Sequence, residues 1–194
     1  MRIIGKDIYL LPFESQHLNN PRYYSWLCDP EVVKYLGRDE LLAGVPFQEI
    51  KVYVENLWKA KHCHFFAVFH AETDVFIGTS KISFGSERDI KHQIADIGIM
   101  IGDRGFWGRG LATETLRAIS AFAFDSLSAR KLSAGGFEEN EPLIKAFMKI
   151  GFKVDGRLRK HLSIGHDYCD HILMSCFEEE LIHDPKQNTM NSWG

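Results

Sequence analysis

The chain has 194 residues, 45% of them hydrophobic and 25% charged, and a formal net charge of −3. This length suits one domain with a sizeable core, and the composition is ordinary for a soluble globular protein. The slight acidity, without a lysine–arginine block, argues against nucleic acid as the main partner. No apolar run is long enough for a membrane span, residues 1–6 do not resemble a signal peptide, and the four cysteines form no C-x-x-C pair. We therefore expect a cytoplasmic protein with reduced thiols.

The first half of the chain predicts one strand, several helices and two further strands. Asp29 and Pro30 indicate a fresh helix start, because aspartate suits the N-cap and proline the first helical position. The expected elements, in order, are a strand over 7–12, helical pieces over 19–35, a helix over 47–61, strands over 64–70 and 76–84, and a polar loop over 85–93.

The second half predicts strands that alternate with two helices. The expected elements are a strand over 94–101, a helix from residue 111 to about 126, a strand over 131–137, a helix that begins at Asn140 and ends at Gly151, and strands over 152–161 and 170–177. This order predicts a single α/β (or α+β) domain over 1–182, with a mixed central sheet of about six to seven strands flanked by helices. The polar residues 183–194 are expected to form a flexible tail.

A glycine-containing turn joins the strand over 94–101 to the following helix. The first helical turn has free N–H groups and the positive end of the helix dipole, so this junction suits an anion. Gly108 and Gly110 lack a Cβ, which lets a phosphate approach the main chain. The segment has neither the Lys-Ser/Thr pair of a Walker loop nor a third glycine at the spacing of a dinucleotide fingerprint.

The segment Gly105-Phe106-Trp107-Gly108-Arg109-Gly110 resembles the acetyl-CoA pyrophosphate loop of the GNAT acetyltransferases, Gln/Arg-x-x-Gly-x-Gly/Ala, with Gly105 in place of the usual first residue. The longer run from Trp107 to Glu114 resembles the branch that includes the ribosomal-protein N-acetyltransferases. A second segment, Asn140-x-x-Leu143 followed by 147–152, resembles the family's Asn-x-x-Ser/Ala and Lys-x-Gly-Phe motif. The resemblance covers roughly residues 6–180 and implies a GNAT-like domain.

The resemblance implies acetyl transfer from acetyl-CoA to an amine. It implies that the pantetheine arm inserts beside the strand over 94–101, held by N–H groups near Met100 and Ile101 and touched by Asn140. The pyrophosphate would bind at the glycine turn and the helix start, with Trp107 as a wall of the site or as a core residue. The residues implied at the turn are Gly108, Arg109, Gly110, Leu111, Ala112 and Thr113.

The amine must lose a proton before it attacks. Asp96, on the central strand, is the candidate base, and the alternative is a solvent-facing carboxylate at the strand end without a catalytic role. Glu31 is a further candidate, and Glu114 suits the helix dipole. Many relatives place a proton-donating tyrosine where this chain has Phe147, so water, Tyr168 or another hydroxyl would protonate the thiolate.

The histidines and cysteines do not predict a metal site. His62 and His64 flank Cys63 at a strand start, and His166, Cys169 and His171 lack a matching second pair of ligands. We therefore expect no metal.

The acceptor amine is the least specified part of the prediction. Residues 26–32 resemble a segment common in GNAT proteins that acetylate nucleotide-linked amino sugars, which favours a small amine. A protein N-terminus is the alternative, and the slight net acidity would suit a polyamine. The fold could also bind acetyl-CoA without catalysis. The expected partners are acetyl-CoA and an amine, with no nucleic acid or membrane, in a monomer or homodimer.

Overall fold

The computed structural model of the chain describes residues 1–165 and 167–183. Its strands are β1 (Ile3–Ile4), β2 (Ile8–Pro12), β3 (Cys63–His70), β4 (Val75–Ser83), β5 (Ile94–Ile101), β6 (Lys131–Phe137), β7 (Lys153–Ile164) and β8 (Asp167–Phe177). Its helices are α1 (Ser15–Leu18), α2 (Pro21–Leu27), α3 (Pro30–Val33), α4 (Asp39–Leu42), α5 (Phe47–Lys59), α6 (Glu87–His92), α7 (Leu111–Leu127) and α8 (Glu141–Lys149). Single 3₁₀ turns cover Arg104–Phe106 and Glu178–Glu180.

All eight strands join one sheet in the order β1-β2-β3-β4-β5-β6-β8-β7. Every neighbouring pair is antiparallel except β5 and β6, which are parallel and are connected by α7. A parallel pair requires a crossover of this kind, because the chain must return to the starting edge of the sheet. The parallel pair therefore places the amino end of α7 at the carboxyl end of β5.

Two hydrophobic cores cover the two faces of the sheet. One core packs α7 and α8 against one face, with Leu116 and Ile119 of α7 fully buried. The other core packs the amino-terminal helices against β3, β4 and β5, and it includes Trp26 and Met100. Side chains alternate between the faces along a strand, so β5 contributes to both cores.

The predicted fold class is confirmed, with eight strands in place of the expected six to seven. The additional strand β1 has only two residues, too few for a periodic pattern in the sequence. The expected loop over 85–93 contains helix α6, which has no buried residue and begins where the Ser86 hydroxyl accepts from the Asp89 N–H. Its stability comes from capping rather than from an apolar face, which explains why periodicity missed it.

The predicted helix start at Asp29-Pro30 is confirmed, since the Asp29 side chain accepts from the Glu31 N–H. The predicted tail lies outside the described residues, apart from His183. Within the part of the chain that the structure describes, none of the helices has the length and apolar character that a membrane crossing requires.

Candidate active site

The parallel strands β5 and β6 separate soon after they meet. Their pairing covers only residues 94–96 of β5 and 131–133 of β6. Beyond that point β5 remains paired with β4 as far as Ile101, and β6 remains paired with β8 as far as Phe137. Each strand follows its outer neighbour, so a wedge opens between residues 97–101 and 134–137. We call this wedge the strand opening.

The main chain of β5 presents alternate residues to the strand opening. The Gly98 carbonyl accepts from a β4 serine hydroxyl at 2.8 Å, whereas the Ile101 carbonyl accepts from Trp107 Nε1 at 2.7 Å. The N–H and C=O of one strand residue point the same way, and neighbouring residues alternate. Met100 therefore turns its main chain towards β4, and Ile99 and Ile101 turn theirs towards the opening. Because of this alternation, the N–H group expected at Met100 to face the opening belongs instead to Ile99.

The glycine turn lies at the amino end of α7. Gly108 and Gly110 adopt φ angles of +75° and +81°, and a Cβ at either position would meet no atom within 4 Å. Helical bonding begins where the Glu114 N–H donates to Gly110 O, so the N–H groups of residues 111–113 have no partner one turn back. An open, amide-lined concavity at a helix start fits a pyrophosphate. These residues therefore suit the diphosphate of coenzyme A.

Two arginines and two aromatic rings surround this turn. The Arg109 guanidinium lies 5.0 Å from the centre of the Phe106 ring, and the Arg104 guanidinium lies 5.6 Å from that of Trp107. Trp107 is 43% exposed, and its indole covers the edge of β5 at Ile101. Of the two roles considered for Trp107, its position suits a wall of the site rather than a core residue.

A hollow of about 240 Å³ lies between the strand opening and the amino-terminal helices. The α8 side chains Leu143 and Phe147 form part of its wall, together with Gly135 of β6 and the β5 residues 97–100. The remaining described lining residues come from the amino-terminal helices and their connections and from β3 and β4: Tyr23, Leu27, Tyr35, Leu36, Arg38, Leu41, Tyr53, Phe65, Thr79, Ser80 and Lys81. The hollow thus adjoins the place where a thioester would lie in the opening.

Asp96 lies at the apex of the opening, paired with Ser83 of β4 and Ser133 of β6. Its side chain shares a sheet face with Gly98 and Met100, which line the hollow. Asp96 is open to solvent, but the surrounding protein displaces part of its hydration and raises the pKa of its carboxyl. The Lys81 ammonium and the Ser133 hydroxyl act in the opposite direction. A carboxyl with a raised pKa is a stronger proton acceptor once it is ionised.

The other candidate acid–base residues lie elsewhere. Glu31 is exposed on α3 and is not among the described residues that line the hollow. Glu114 accepts from the Asp7 N–H at 2.7 Å, which ties α7 to the connection before β2. Tyr168 is 63% exposed on the β7–β8 hairpin and also lies outside the hollow lining. Of these candidates Asp96 alone lies on β5 at the strand opening, although it too is outside the described lining of the hollow.

Asn140 begins α8, and its side-chain oxygen accepts from the Leu143 N–H at 3.4 Å. The predicted capping role is confirmed. Phe147 is buried, with its ring centre 4.8 Å from that of Phe152, so it contributes an apolar wall where the family often has a hydroxyl. The described hydroxyls in the hollow belong instead to three tyrosines and to Thr79 and Ser80.

No group of three histidine, cysteine or acidic side chains comes together as a possible metal site within residues 1–165 and 167–183. His166, one member of the trio considered from the sequence, lies outside the described residues. His171 packs against Gly135, and its ring stacks on His161 with the centres 5.7 Å apart. Burial and the neighbouring His161 lower the pKa of His171, so its imidazole is neutral near pH 7.

The sequence did not reveal that Arg38, Lys81 and the three tyrosines would share one hollow. The alternation of Thr79, Lys81 and Ser83 along β4 was the one usable signal, since it indicates a polar strip on one face. The tyrosines and Arg38 come from α2, α5 and the residues after α3, which no local pattern relates to the sheet.

A strand opening that leads to an amide-lined helix start suits an acyl-coenzyme A thioester. Residues 7–153 match the acetyltransferase (GNAT) domain family, and the chain belongs to that family. It is an acetyl-CoA-dependent N-acetyltransferase.

Similar proteins agree with this assignment. An N-acetyltransferase 9-like protein of Nematostella vectensis is 26% identical over 158 residues, which cover 77% of this chain and 76% of that protein. The spermidine N-acetyltransferase of Vibrio cholerae, solved with CoA and spermine, has a similar fold, with a TM-score of 0.78, 18% identity and coverage of 90% and 97% of the two chains. RimL, a ribosomal L7/L12 α-N-protein acetyltransferase solved with coenzyme A, gives a TM-score of 0.76 at 14% identity, with coverage of 91% and 98%.

Proposed function

We propose that the chain acetylates a small primary amine, in the first instance an amino sugar such as a nucleotide-linked one. The observation that carries this proposal is the hollow beside the strand opening. Its volume of about 240 Å³ is slightly below the ~300–1,000 Å³ range typical of small-molecule sites. A hollow of this size suits a single sugar ring, and a nucleotide portion would extend into solvent.

In this proposal the chain first positions the cosubstrate. The amides of residues 108–113 and the Arg109 guanidinium hold the pyrophosphate, because both supply positive charge at the helix start. The N–H groups of Ile99 and Ile101 bind the pantetheine arm, which lies along the open edge of β5 like an added strand. Asn140 contacts the same arm from the start of α8. Trp107 covers the arm where it leaves the opening.

Asp96 then receives the proton of the acceptor amine. An amine with a pKa near ~8 is about one-tenth neutral at pH 7, whereas a lysine-like amine near ~10.4 is neutral in fewer than about one molecule in a thousand. Amino sugars and protein N-termini belong to the first group, so one carboxylate acting directly or through water is sufficient for them. The chemistry is attack of the neutral amine on the thioester carbonyl, followed by departure of the thiolate.

The direct test is thiol release from acetyl-CoA with a panel of amino sugars, nucleotide-linked amino sugars, polyamines and peptide N-termini. We expect release with amino sugars and a measurable KM for one of them. Release with peptides alone would reject the small-amine proposal. Calorimetric binding of acetyl-CoA, measured in parallel, separates an inactive preparation from an unsuitable acceptor.

A protein N-terminus is the second candidate acceptor. The likeness of the fold to the ribosomal-protein acetyltransferase RimL supports it, as does the favourable pKa of an α-amino group. The hollow would then accept only the first residue of the substrate protein. A peptide whose second residue carries a blocking group would distinguish the candidates. An enzyme that acts on protein N-termini contacts residues beyond the first and should lose activity with this peptide.

A further inference from the structure

The charged side chains that line the hollow all have the same sign. Among the described lining residues, Arg38 and Lys81 are cationic and none carries a carboxylate. This contrasts with the chain as a whole, whose formal net charge is −3. None of residues 104–113 is among the described residues that line the hollow, so these two cations are separate from the pyrophosphate turn. Their charge therefore requires a separate explanation.

Arg38 is held in place by two neighbours. Its Nε donates to Glu40 Oε1 at 2.7 Å, and its guanidinium lies 4.5 Å from the centre of the Tyr53 ring. A guanidinium has five N–H donors in a planar fork, so one bond through Nε leaves its terminal nitrogens able to bind a planar or tetrahedral anion. The Arg38 side chain is 28% exposed, and such partial burial strengthens a charge-assisted bond. Arg38 is thus oriented before any ligand enters.

Lys81 approaches the hollow from the sheet. It lies on β4 directly opposite Gly98, whose lack of a side chain leaves space above β5. Among the described residues no carboxylate oxygen lies within 4.0 Å of its ammonium, although Lys81 acts electrostatically on Asp96. Its three N–H donors are therefore available to a ligand that lies between β4 and the helices.

Neutral hydroxyls complete this side of the hollow. Burial beside Tyr53 raises the pKa of Tyr23, so its phenol stays protonated at any physiological pH. A phenol and a cation both donate hydrogen bonds to anionic oxygen. The helix side of the described lining is therefore rich in donors for an anion, and the nearby Glu40 carboxylate, which is not part of that lining, is already bonded to Arg38.

From this arrangement we propose that the acceptor carries an anionic oxygen group, a phosphate or a carboxylate, close to the amine, and that Arg38 and Lys81 bind that group and determine specificity. The inference rests on the proposed acetylation of a small amine and adds the charge of the acceptor. It disfavours polyamines, whose further ammonium groups would face two cations. It also assigns Asp96 to the reacting amine and Arg38 to the anionic group, with Lys81, whose charge acts on Asp96, between them.

Matched acceptor pairs test this inference by calorimetry on the protein saturated with CoA, so that binding is measured without turnover. Glucosamine and glucosamine 6-phosphate differ by a phosphate, and phenylalanine amide and phenylalanine differ by a carboxylate; spermine represents the polyamines. We expect the anionic member of at least one pair to bind at least ten times more tightly than its neutral counterpart. The pair that responds identifies the anion as phosphate or carboxylate.

Substitutions locate the effect. Arg38→Gln should weaken the binding of the anionic acceptor by about 10- to 100-fold, the range of a charged hydrogen bond. The affinity for the neutral counterpart should stay within about threefold. Arg38→Lys should retain part of the preference, since it keeps the charge and loses the fork. Arg88→Gln on the exposed helix α6 is the matched control and should change neither affinity.

The outcomes are distinct for the two proposals. Neutral acceptors or spermine binding as tightly as the anionic ones would overturn this inference, even if acetylation of small amines were observed. Equal effects of Arg38→Gln on both members of a pair would also overturn it, as would no binding by any compound. Anion-dependent binding without thiol release would support the inference and count against small-amine acetylation.

Discussion

Gly108 is the position where one substitution tests the pyrophosphate turn most directly. Its φ of +75° is costly for any other residue, and a Cβ there points into open space. Gly108→Gln and Gly108→Glu have nearly the same shape and share the same backbone cost, about 1–2 kcal/mol for the left-handed region. They differ only in charge, so their comparison isolates the electrostatic contribution of the turn.

The size of that contribution follows from the geometry. A carboxylate about 5 Å from one phosphate charge is repelled by roughly 1 kcal/mol in water and roughly 3 kcal/mol at an effective dielectric constant of about 20. Residues 108–110 are exposed, which favours the lower half of this range. The lower half, about 1–2 kcal/mol, means that Gly108→Glu should bind CoA about 5- to 30-fold more weakly than Gly108→Gln.

Calorimetric titration with CoA measures this difference, and salt provides an internal control. The Debye length falls from about 10 Å at 0.1 M salt to about 3 Å at 1 M, so the gap between the two variants should shrink at high salt. Equal affinities for Gln and Glu at low salt would refute the placement of the pyrophosphate beside Gly108. Similar thermal stability of the two variants would show that the comparison reflects charge.

Substitutions at three further positions test the strand opening and the sheet. Asp96→Asn should lower kcat more than it changes CoA affinity and remove the acidic limb of the pH–rate profile; an unchanged profile would reject Asp96 as the base. Because the folded protein raises the pKa of Asp96, it favours the protonated carboxyl, and the stability from this group is lost as pH rises through the folded pKa. Asp96→Asn should therefore unfold at higher urea near pH 7, and this gain should vanish under acidic conditions. Gly78→Ala should lower the free energy of unfolding by about 2 kcal/mol or more in a urea titration, because its Cβ would lie 2.2 Å from Met100 O. Gly85→Ala is the control and should be nearly neutral, because the nearest contact of its Cβ would be at 3.7 Å. Trp107→Phe should lose the hydrogen bond to Ile101 O and weaken the binding of CoA a few-fold, as measured by calorimetry. The free energy of unfolding should stay within about 1 kcal/mol of the original, and an unchanged affinity for CoA would show that Trp107 is not part of the site.

Local patterns predicted most elements of the fold. The strands β5 and β6 were placed at their observed bounds, and the start of α3 followed from Asp29 and Pro30. These features succeed because apolar periodicity and helix capping act over a few neighbouring residues. The elements that were missed, β1, α1, α4 and α6, are too short to show a periodic apolar face. The glycine turn was recognised for the same local reason, since strand, turn and helix start are contiguous.

The composition of the hollow was decided only by tertiary structure. Two helices, α4 and α5, and the strand β3 separate Arg38 from Lys81 in the sequence, and the two residues meet because β4 packs under the amino-terminal helices. The orientation of the β5 main chain has the same origin. Its alternation depends on the register with β4, and a shift of one residue would exchange Met100 and Ile99 at the strand opening.

The sequence by itself determined the order of the elements, the glycine turn before α7 and the identity of the residues that could act as acid or base. The tertiary structure decided where β5 and β6 separate, which β5 residues face that opening and which charges line the acceptor side. The physical reason is that backbone propensity and capping are short-range, whereas register and pocket charge arise from contacts between segments distant in the chain. The cationic lining of the hollow, in a chain with a net negative charge, is the clearest product of those long-range contacts.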